Sequence, residues 1–231
     1  MNPSKIFADE RMRGCCVYCG GNPETKEHAP PKVFLDEPYP SNLGVVAACQ
    51  KCNQGYALDE EYLACFIECV VCGSVEPDSM RRAKIAKALK QPKLAARILR
   101  AKSIVNGEML WTVEIDRVSR ILQKLAISHI DYELSLQPAG EVFVKFFPLH
   151  CLSVEDQTLF FEDKTSPVQS WPEVGSRAFI NVSKGDFEQT GFERWRCVQP
   201  ERYMYFVSQA GGGLVRMLIG GYLACEVYWE V

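Results

Sequence analysis

The chain has 231 residues, of which 47% are hydrophobic and 24% are charged, and its formal net charge is -3. This composition is typical of a globular protein with one large domain or two small ones, and it excludes a disordered, collagen-like or coiled-coil chain. No apolar run approaches the ~18 residues that a membrane-spanning helix needs. The N-terminal residues have no apolar core of the kind found in signal peptides. We therefore expect a cytoplasmic protein with no membrane partner.

The sequence pattern predicts an α+β protein in three parts. Residues 1–76 are rich in Cys, Pro and Gly and read as a small zinc-stapled module. Residues 77–107 form a basic helical segment: nine basic side chains and one acidic side chain lie between 78 and 107. Residues 108–231 are acidic and read as a mainly antiparallel α+β domain.

Two cysteine pairs dominate the first part. The chain has eleven cysteines, and in a reducing compartment clustered cysteines indicate metal binding rather than disulfides. The pairs Cys16/Cys19 and Cys49/Cys52 both have C-x2-C spacing, and two such turns complete the tetrahedral shell of a structural Zn²⁺. Cys15 could replace Cys16 with a longer spacing, but Cys16 matches the spacing of the second pair.

The candidate catalytic residues lie between these two pairs or directly after the second pair. His28 is one of three histidines in the chain; it follows Glu27 and lies outside any helical apolar pattern. Asn53 follows the second cysteine pair directly and opens a helix. A histidine can exchange a proton near neutral pH, although a lone histidine can equally have a structural role.

The order of these residues resembles the HNH (ββα-metal) endonucleases that carry a structural zinc. Phage junction-resolving endonucleases and many bacterial HNH proteins share this layout. The strings E-H-A-P-P-K at 27–32 and N-L-G-V-V-A-A-C-Q-K-C-N at 42–53 are similar to a bacterial HNH subgroup found among uncharacterised and defence-associated proteins. The resemblance covers residues 14–72, under a third of the chain, and implies two strands followed by a helix.

The resemblance also implies a division of catalytic roles. His28 would be the general base, while Glu27 would bind one Mg²⁺ or Mn²⁺ and Asn53 would bind the same ion or orient the site. Cleavage would leave 5′-phosphate and 3′-hydroxyl ends. Because adjacent strand residues point to opposite sides, Glu27 and His28 can converge on one phosphate only at a twisted or irregular strand end.

The chain departs from the family pattern at two points. The family most often has Asp where this chain has Glu27, and many members have a later histidine ligand in the helix, whereas here the next histidine is His129. That role would fall to Asn53 or to the acidic cluster at 59–61, in which Glu60 shares a helix face with Asn53. The alternative for the cluster is a solvated helix face near the helix N-terminus.

The helix that follows Asn53 is predicted over 54–72 and is expected to end at Gly73. Cys65, Cys69 and Cys72 share one face of it. This spacing favours packing in the core, because free cysteine is among the most buried residue types. A second metal site is the alternative.

The basic segment is predicted to be helical from residue 78 to about 101, with a break or kink at Pro92. Its cations can neutralise phosphates, which supply most nonspecific affinity for nucleic acid. A solvated face that pairs with the acidic domain or a partner protein is the alternative. The candidate nucleic-acid-binding residues are Arg81, Arg82, Lys84, Lys87, Lys90, Lys93, Arg97 and Arg100.

The last part begins with a predicted strand at 108–115 and a helix at 116–134. Six strands are then predicted, separated by turn residues, and Gly220-Gly221 predicts a tight hairpin between the last two. The predicted strands cover 142–147, 159–162, 178–182, 203–209, 214–219 and 222–231.

These features together predict a metal-dependent HNH endonuclease. Its substrate is expected to be DNA, with RNA as the alternative, and bacterial or phage defence or restriction is the biology that the resemblance implies. One alternative is a noncatalytic zinc-stapled module that binds nucleic acid or a protein. Another is a nuclease subunit that acts only with a partner such as an ATPase or sensor.

Overall fold

The computed structural model describes residues 14–162, 171–209 and 212–230. Residues 1–13, where no signal peptide is expected, lie outside the described residues. The described residues form six α-helices: α1 (Gln50–Cys72), α2 (Ala83–Ala88), α3 (Pro92–Arg100), α4 (Ile115–Leu134), α5 (Val154–Phe161) and α6 (Arg177–Lys184). They also form nine strands: β1 (Thr25–Ala29), β2 (Gly44–Ala48), β3 (Lys102–Val105), β4 (Glu108–Trp111), β5 (Glu141–Pro148), β6 (Arg196–Gln199), β7 (Tyr203–Ser208), β8 (Leu214–Ile219) and β9 (Leu223–Glu230).

The strands form three antiparallel sheets. β1 pairs with β2, β3 pairs with β4, and the other five strands lie in the order β5-β9-β8-β7-β6. The predicted α+β class is therefore confirmed. Within the described ranges, no helix is both long enough and apolar enough to cross a membrane.

The described residues divide into two compact units. One unit takes those up to Gly55 together with those from Leu122 onward, and the other takes Tyr56–Ile121. This division differs from the three segments drawn from the sequence. It differs because the first unit brings together residues that are distant in the chain, and composition along the chain does not reveal such a pairing.

The β1–β2 hairpin has one face in the core of the first unit. Ala29 and Val46 pack there with Val17 and Tyr132. At Gly44 a Cβ atom would lie 2.8 Å from the ring of Tyr132, so only glycine allows this close approach. The hairpin is thus packed against the core on one side. On the other side Lys26 is exposed and His28 half-buried, whereas Val45 and Ala47 of β2 are buried.

Helix α1 begins four residues earlier than predicted. The Glu24 carboxylate accepts a hydrogen bond from the Gln50 backbone N–H at 3.0 Å, which satisfies one of the unpaired donors of the first turn. The end is as predicted: Gly73 has a positive φ of 66° and the Ser74 N–H donates to the Cys69 carbonyl. Cys69 is fully buried, and burial raises the pKa of its thiol to about 12, as expected for a cysteine in the core.

The basic segment forms two helices rather than one bent helix. Pro92 is the first residue of α3, a position where its missing N–H costs no hydrogen bond. The chain then turns back on itself through β3 and β4. Asn106 and Gly107 both have positive φ in the turn between them.

Two of the predicted strands are wrong. Residues 159–162 lie mostly in α5, and residues 178–182 lie in α6. Both helices begin at a serine cap: Ser153 Oγ accepts from the Asp156 N–H and Ser176 Oγ accepts from the Phe179 N–H. Short apolar runs do not distinguish strand from helix, and these caps favour the helix. The hairpin at Gly220-Gly221 is confirmed, with both φ values positive.

A buried carboxylate joins α4 to the five-stranded sheet. Glu133 accepts hydrogen bonds from Arg177 at 2.6 Å, the Tyr205 hydroxyl at 2.5 Å and the Gly191 N–H at 3.0 Å. Arg196 Nη1 lies 3.5 Å from the same carboxylate. Burial alone raises the pKa of Glu133, but the two arginine charges and the hydrogen bonds outweigh it and lower that pKa. Glu133 is therefore ionised at neutral pH.

Asp131, two residues earlier, has the opposite environment and gives a pH-dependent prediction. Burial raises the pKa of Asp131 to about 7, and within the described part of the chain its Oδ1 has no hydrogen-bond partner. Below the unfolded-state pKa near 4, the carboxyl is protonated in both states and its contribution to the stability of the folded protein is fully present. This contribution is lost as the pH rises through about 7, because the buried carboxyl must then ionise. We expect Asp131→Asn to raise the free energy of unfolding at pH 8 by up to about 4 kcal/mol and to change it little at pH 4.

Denaturant unfolding of the two proteins at pH 4 and pH 8 measures this difference. The exposed Asp78 supplies the control, because Asp78→Asn removes the same charge without a buried carboxyl. Equal effects of Asp131→Asn at both pH values would contradict the prediction.

Candidate metal centre and active site

The four predicted cysteines come together in the structure. The Sγ atoms of Cys16, Cys19, Cys49 and Cys52 all lie within 4.8 Å of one another, and no other such group of ligands occurs among the described residues. Cys19 Sγ and Cys49 Sγ are 3.7 Å apart. Tetrahedral Zn²⁺ with Zn–S bonds of about 2.3 Å places its sulfurs about 3.8 Å apart. The cluster therefore fits a structural zinc site.

Local backbone geometry builds the first cysteine turn. The Cys16 N–H donates to the Gly21 carbonyl at 2.7 Å, and the Gly20 N–H donates to the Cys16 carbonyl at 2.8 Å. Gly20 has a positive φ of 71°, a conformation that glycine adopts without strain. The Val17 N–H donates to the Ala47 carbonyl, so the turn is attached to β2.

The acidities of the cluster thiols are compatible with a bound cation. The Cys52 N–H donates to Cys49 Sγ at 3.3 Å, and this hydrogen bond lowers the pKa of Cys49 to about 7. Burial raises the pKa of Cys52, and the neighbouring cysteines raise it further. One thiolate is thus accessible at neutral pH, while further deprotonation needs a positive charge such as Zn²⁺ to compensate it.

His28 lies on the face of the hairpin opposite the core. It lines a pocket of about 350 Å³ together with Lys26, Lys32, Tyr39 and Ser41. Lys26 shares the face of His28 because strand side chains alternate, and the Lys32 ammonium lies 5.2 Å from the centre of the Tyr39 ring. The pocket thus combines a histidine, two cations and two hydroxyl groups with an apolar wall of Pro40, Leu43 and Val45.

The protonation state of His28 suits a base. Burial lowers the pKa of His28, the charge of Lys32 lowers it further, and the Gly44 backbone opposes both. The imidazole is therefore neutral at pH 7 and able to accept a proton. Its Nδ1 is buried and has no hydrogen-bond partner among the described residues.

Glu27 points to the other face of β1. Its side chain is 9% exposed, and one carboxylate oxygen lies 3.1 Å from Nζ of Lys124, whose side chain is fully buried. The strand is regular here, since residues 25–29 pair with 44–48 in an unbroken antiparallel register. The structure therefore does not contain the irregular strand end that convergence of Glu27 and His28 on one phosphate requires.

Asn53 lies in the first turn of α1 and contacts the face of β1 that carries Glu27. Its Nδ2 donates to Thr25 Oγ1 at 3.0 Å, and Thr25 shares the face of Glu27 because the two are two residues apart. Asn53 thus holds the start of α1 to β1. Its side-chain oxygen is the atom that could serve as a metal ligand.

No family model, curated protein or solved structure matches this chain. The HNH resemblance therefore rests on the quoted motifs alone, and the assignment of function rests on the site geometry.

The residues implied for a catalytic Mg²⁺ do not fit that ion as they are placed. A dication bound to Glu27 would approach the buried ammonium of Lys124, and two like charges in a poorly solvated place repel strongly. A hard cation of this kind also keeps several waters, for which the buried side of the hairpin provides little space.

The acidic cluster at 59–61 is built into the second unit. Arg117 Nε lies 2.5 Å and Arg120 Nη1 lies 2.8 Å from the carboxylate of Asp59. Asp59 and Glu60 are both buried, so the cluster is not a solvated helix face. Glu60 is in this unit, whereas Glu27 and Asn53 are in the other.

The basic residues of the second unit lie mainly at its surface. Arg81, Lys87, Lys90, Lys93, Arg97 and Arg100 are exposed, and Lys84 is half-buried. Arg82 is buried at 7% exposure and does not lie on this surface. Arg97 Nε lies 3.4 Å from a carboxylate oxygen of Glu114, so part of the charge is compensated within the unit.

Sequence reasoning missed four residues of the site. Lys26, Lys32 and Tyr39 line the pocket, and Lys124 contacts Glu27. The period-two relation of Lys26 to His28 could have revealed the first. No local signal points to Tyr39 or Lys124, because a loop and a distant helix bring them to the hairpin.

Proposed function

We propose that this protein is a phosphodiesterase of the nuclease type, with its active site at the His28 pocket of the zinc-stapled hairpin. The observation that carries the proposal is a neutral histidine that lines an open pocket with two lysines. The order along the chain supports it: the first cysteine turn, β1, β2, the second cysteine turn and α1 follow one another as the HNH resemblance implies. The substrate is DNA, with RNA as the alternative.

The chemistry follows from the pocket. Lys26 and Lys32 bind the phosphate and stabilise the charge that develops on its oxygens in the transition state. His28 takes a proton from the attacking water, whose oxygen forms the new bond to phosphorus. The bond from phosphorus to the bridging oxygen breaks, and that oxygen leaves with a proton from solvent. General-base catalysis of this kind contributes about 10²–10⁴-fold to the rate.

The exposed cations of α2 and α3 supply nonspecific affinity for the substrate in this proposal. A chain with a net charge of -3 needs a local positive surface to approach a polyanion. The five-stranded sheet is assigned to recognition of a target or of a partner such as an ATPase or sensor subunit, and the biology is defence or restriction in a bacterium or phage.

Cleavage by wild type and His28→Ala tests the proposal. Zinc-loaded protein is incubated with supercoiled plasmid and with single-stranded RNA, in Mg²⁺, in Mn²⁺ and without either ion. We expect wild type to cleave one of these substrates and His28→Ala to lose at least about 100-fold in rate, because the base is absent. Zinc content and far-ultraviolet circular dichroism should be unchanged.

His150→Ala is the matched control, since His150 is exposed and lies outside the pocket. Full activity of His28→Ala would overturn the proposal. The competing function, a noncatalytic binding module, predicts no cleavage by wild type and salt-sensitive binding that survives His28→Ala.

A further inference from the structure

The contact between Glu27 and Lys124 bears on the metal requirement of this site. The two side chains are 9% and 0% exposed, and the Lys124 ammonium lies 3.1 Å from the carboxylate. The same ammonium lies 5.5 Å from the centre of the Tyr18 ring. A carboxylate and a π face are both favourable neighbours for a cation, so these surroundings suit a charged lysine.

Helix α4 fixes this lysine firmly against the hairpin. Ser128, one turn after Lys124, donates a hydrogen bond to the Lys124 carbonyl at 2.9 Å, and its Oγ lies 2.8 Å from the hydroxyl of Tyr18. Tyr18 belongs to the first cysteine turn. The Ser128–Tyr18 contact thus attaches α4 to the first cysteine turn, and the Lys124 side chain extends from the same helix to Glu27 and Tyr18.

We infer that Lys124 takes the place of a divalent cation at Glu27, so that neither Mg²⁺ nor Mn²⁺ binds this carboxylate. Removal of either partner of a buried ion pair leaves an uncompensated buried charge, which strongly destabilises the folded state. A metal ion would have to displace the ammonium and leave it buried without a carboxylate. Glu27 is therefore a positioning residue, which holds the strand that carries His28.

This inference concerns the site of the proposed function, but its test does not depend on cleavage. Zinc-loaded proteins are titrated with Mn²⁺, and free Mn²⁺ is measured by electron paramagnetic resonance. The variants are Lys124→Met, which removes the ammonium and keeps the stem, Glu27→Gln, which removes the carboxylate charge, and Glu27→Gln/Lys124→Met, which removes both charges. Lys145→Met is the matched control, because Lys145 is an exposed lysine on β5.

We expect wild type and Lys145→Met to bind no Mn²⁺ that depends on Glu27 up to about 1 mM. Lys124→Met should gain at least about tenfold in Mn²⁺ affinity, because the carboxylate loses its positive neighbour. The double variant should lose this gain. Its melting temperature should also be independent of Mn²⁺, whereas that of Lys124→Met should rise with Mn²⁺.

Two results would overturn the inference. One is wild-type binding of Mn²⁺ that Glu27→Gln abolishes; the other is a folded Lys124→Met protein without any gain in affinity. If Lys124→Met does not fold, the comparison of wild type with Glu27→Gln still decides the question. Failure of wild type to cleave any substrate would count against the proposed function and leave these titrations unchanged.

Discussion

Removal of zinc is expected to unfold the hairpin module. The purified protein should carry one Zn²⁺ per chain, and Cys52→Ser should lose most of it, because a structural site needs its four ligands. Zinc binding to such sites supplies about 10 kcal/mol or more of folding free energy at neutral pH. The β1–β2 hairpin has only five residues in each strand, and a two-stranded hairpin is marginal by itself.

Hydrogen exchange with mass spectrometry measures this effect along the chain. Amide protection should fall by orders of magnitude over residues 16–53 in Cys52→Ser, and in wild type after treatment with a strong chelator. Cys151→Ser is the control, since Cys151 is exposed and lies outside the cluster. Retained protection in zinc-free protein would show that the module does not depend on the metal.

Replacement of Glu133 is expected to have the next largest effect. Glu133→Gln keeps the shape of the side chain but leaves the buried charges of Arg177 and Arg196 without their carboxylate. Breaking a buried pair in this way costs about 3–5 kcal/mol of folding free energy. The exposed Glu141 on β5 offers the control Glu141→Gln, which should change stability by less than about 0.5 kcal/mol.

Denaturant unfolding as a function of pH adds a second readout. Because the folded-state pKa of Glu133 is lowered, its contribution is present above the unfolded-state pKa near 4.5 and is lost as the pH falls through the folded-state value. The deficit of Glu133→Gln should therefore be largest at neutral pH and shrink in acid. A deficit that is constant from pH 7 to acid would contradict the ionic origin of this stability.

Local sequence patterns predicted the correct element where residues close in the chain determine the backbone conformation. The helix after Asn53 ends at Gly73 as predicted, because glycine alone adopts the required positive φ without strain. The hairpin at Gly220-Gly221 is confirmed for the same reason. Where a short apolar run allowed both strand and helix, as at residues 159–162, the pattern gave the wrong element and the cap at Ser153 decided the outcome.

In the candidate site, too, some features follow from the local sequence and others only from the tertiary structure. By itself, the sequence determined the two cysteine turns, since C-x2-C spacing brings both thiols of a pair to one side, and it showed that Glu27 and His28 point to opposite faces unless the strand end is irregular. The unbroken register of β1 with β2 then showed that the strand is regular. The tertiary structure determined which side chains lie against each face of β1. A loop brings Tyr39 beside His28, and α4 brings a buried lysine to Glu27. Such contacts depend on packing between distant segments, so no periodicity in the chain encodes them.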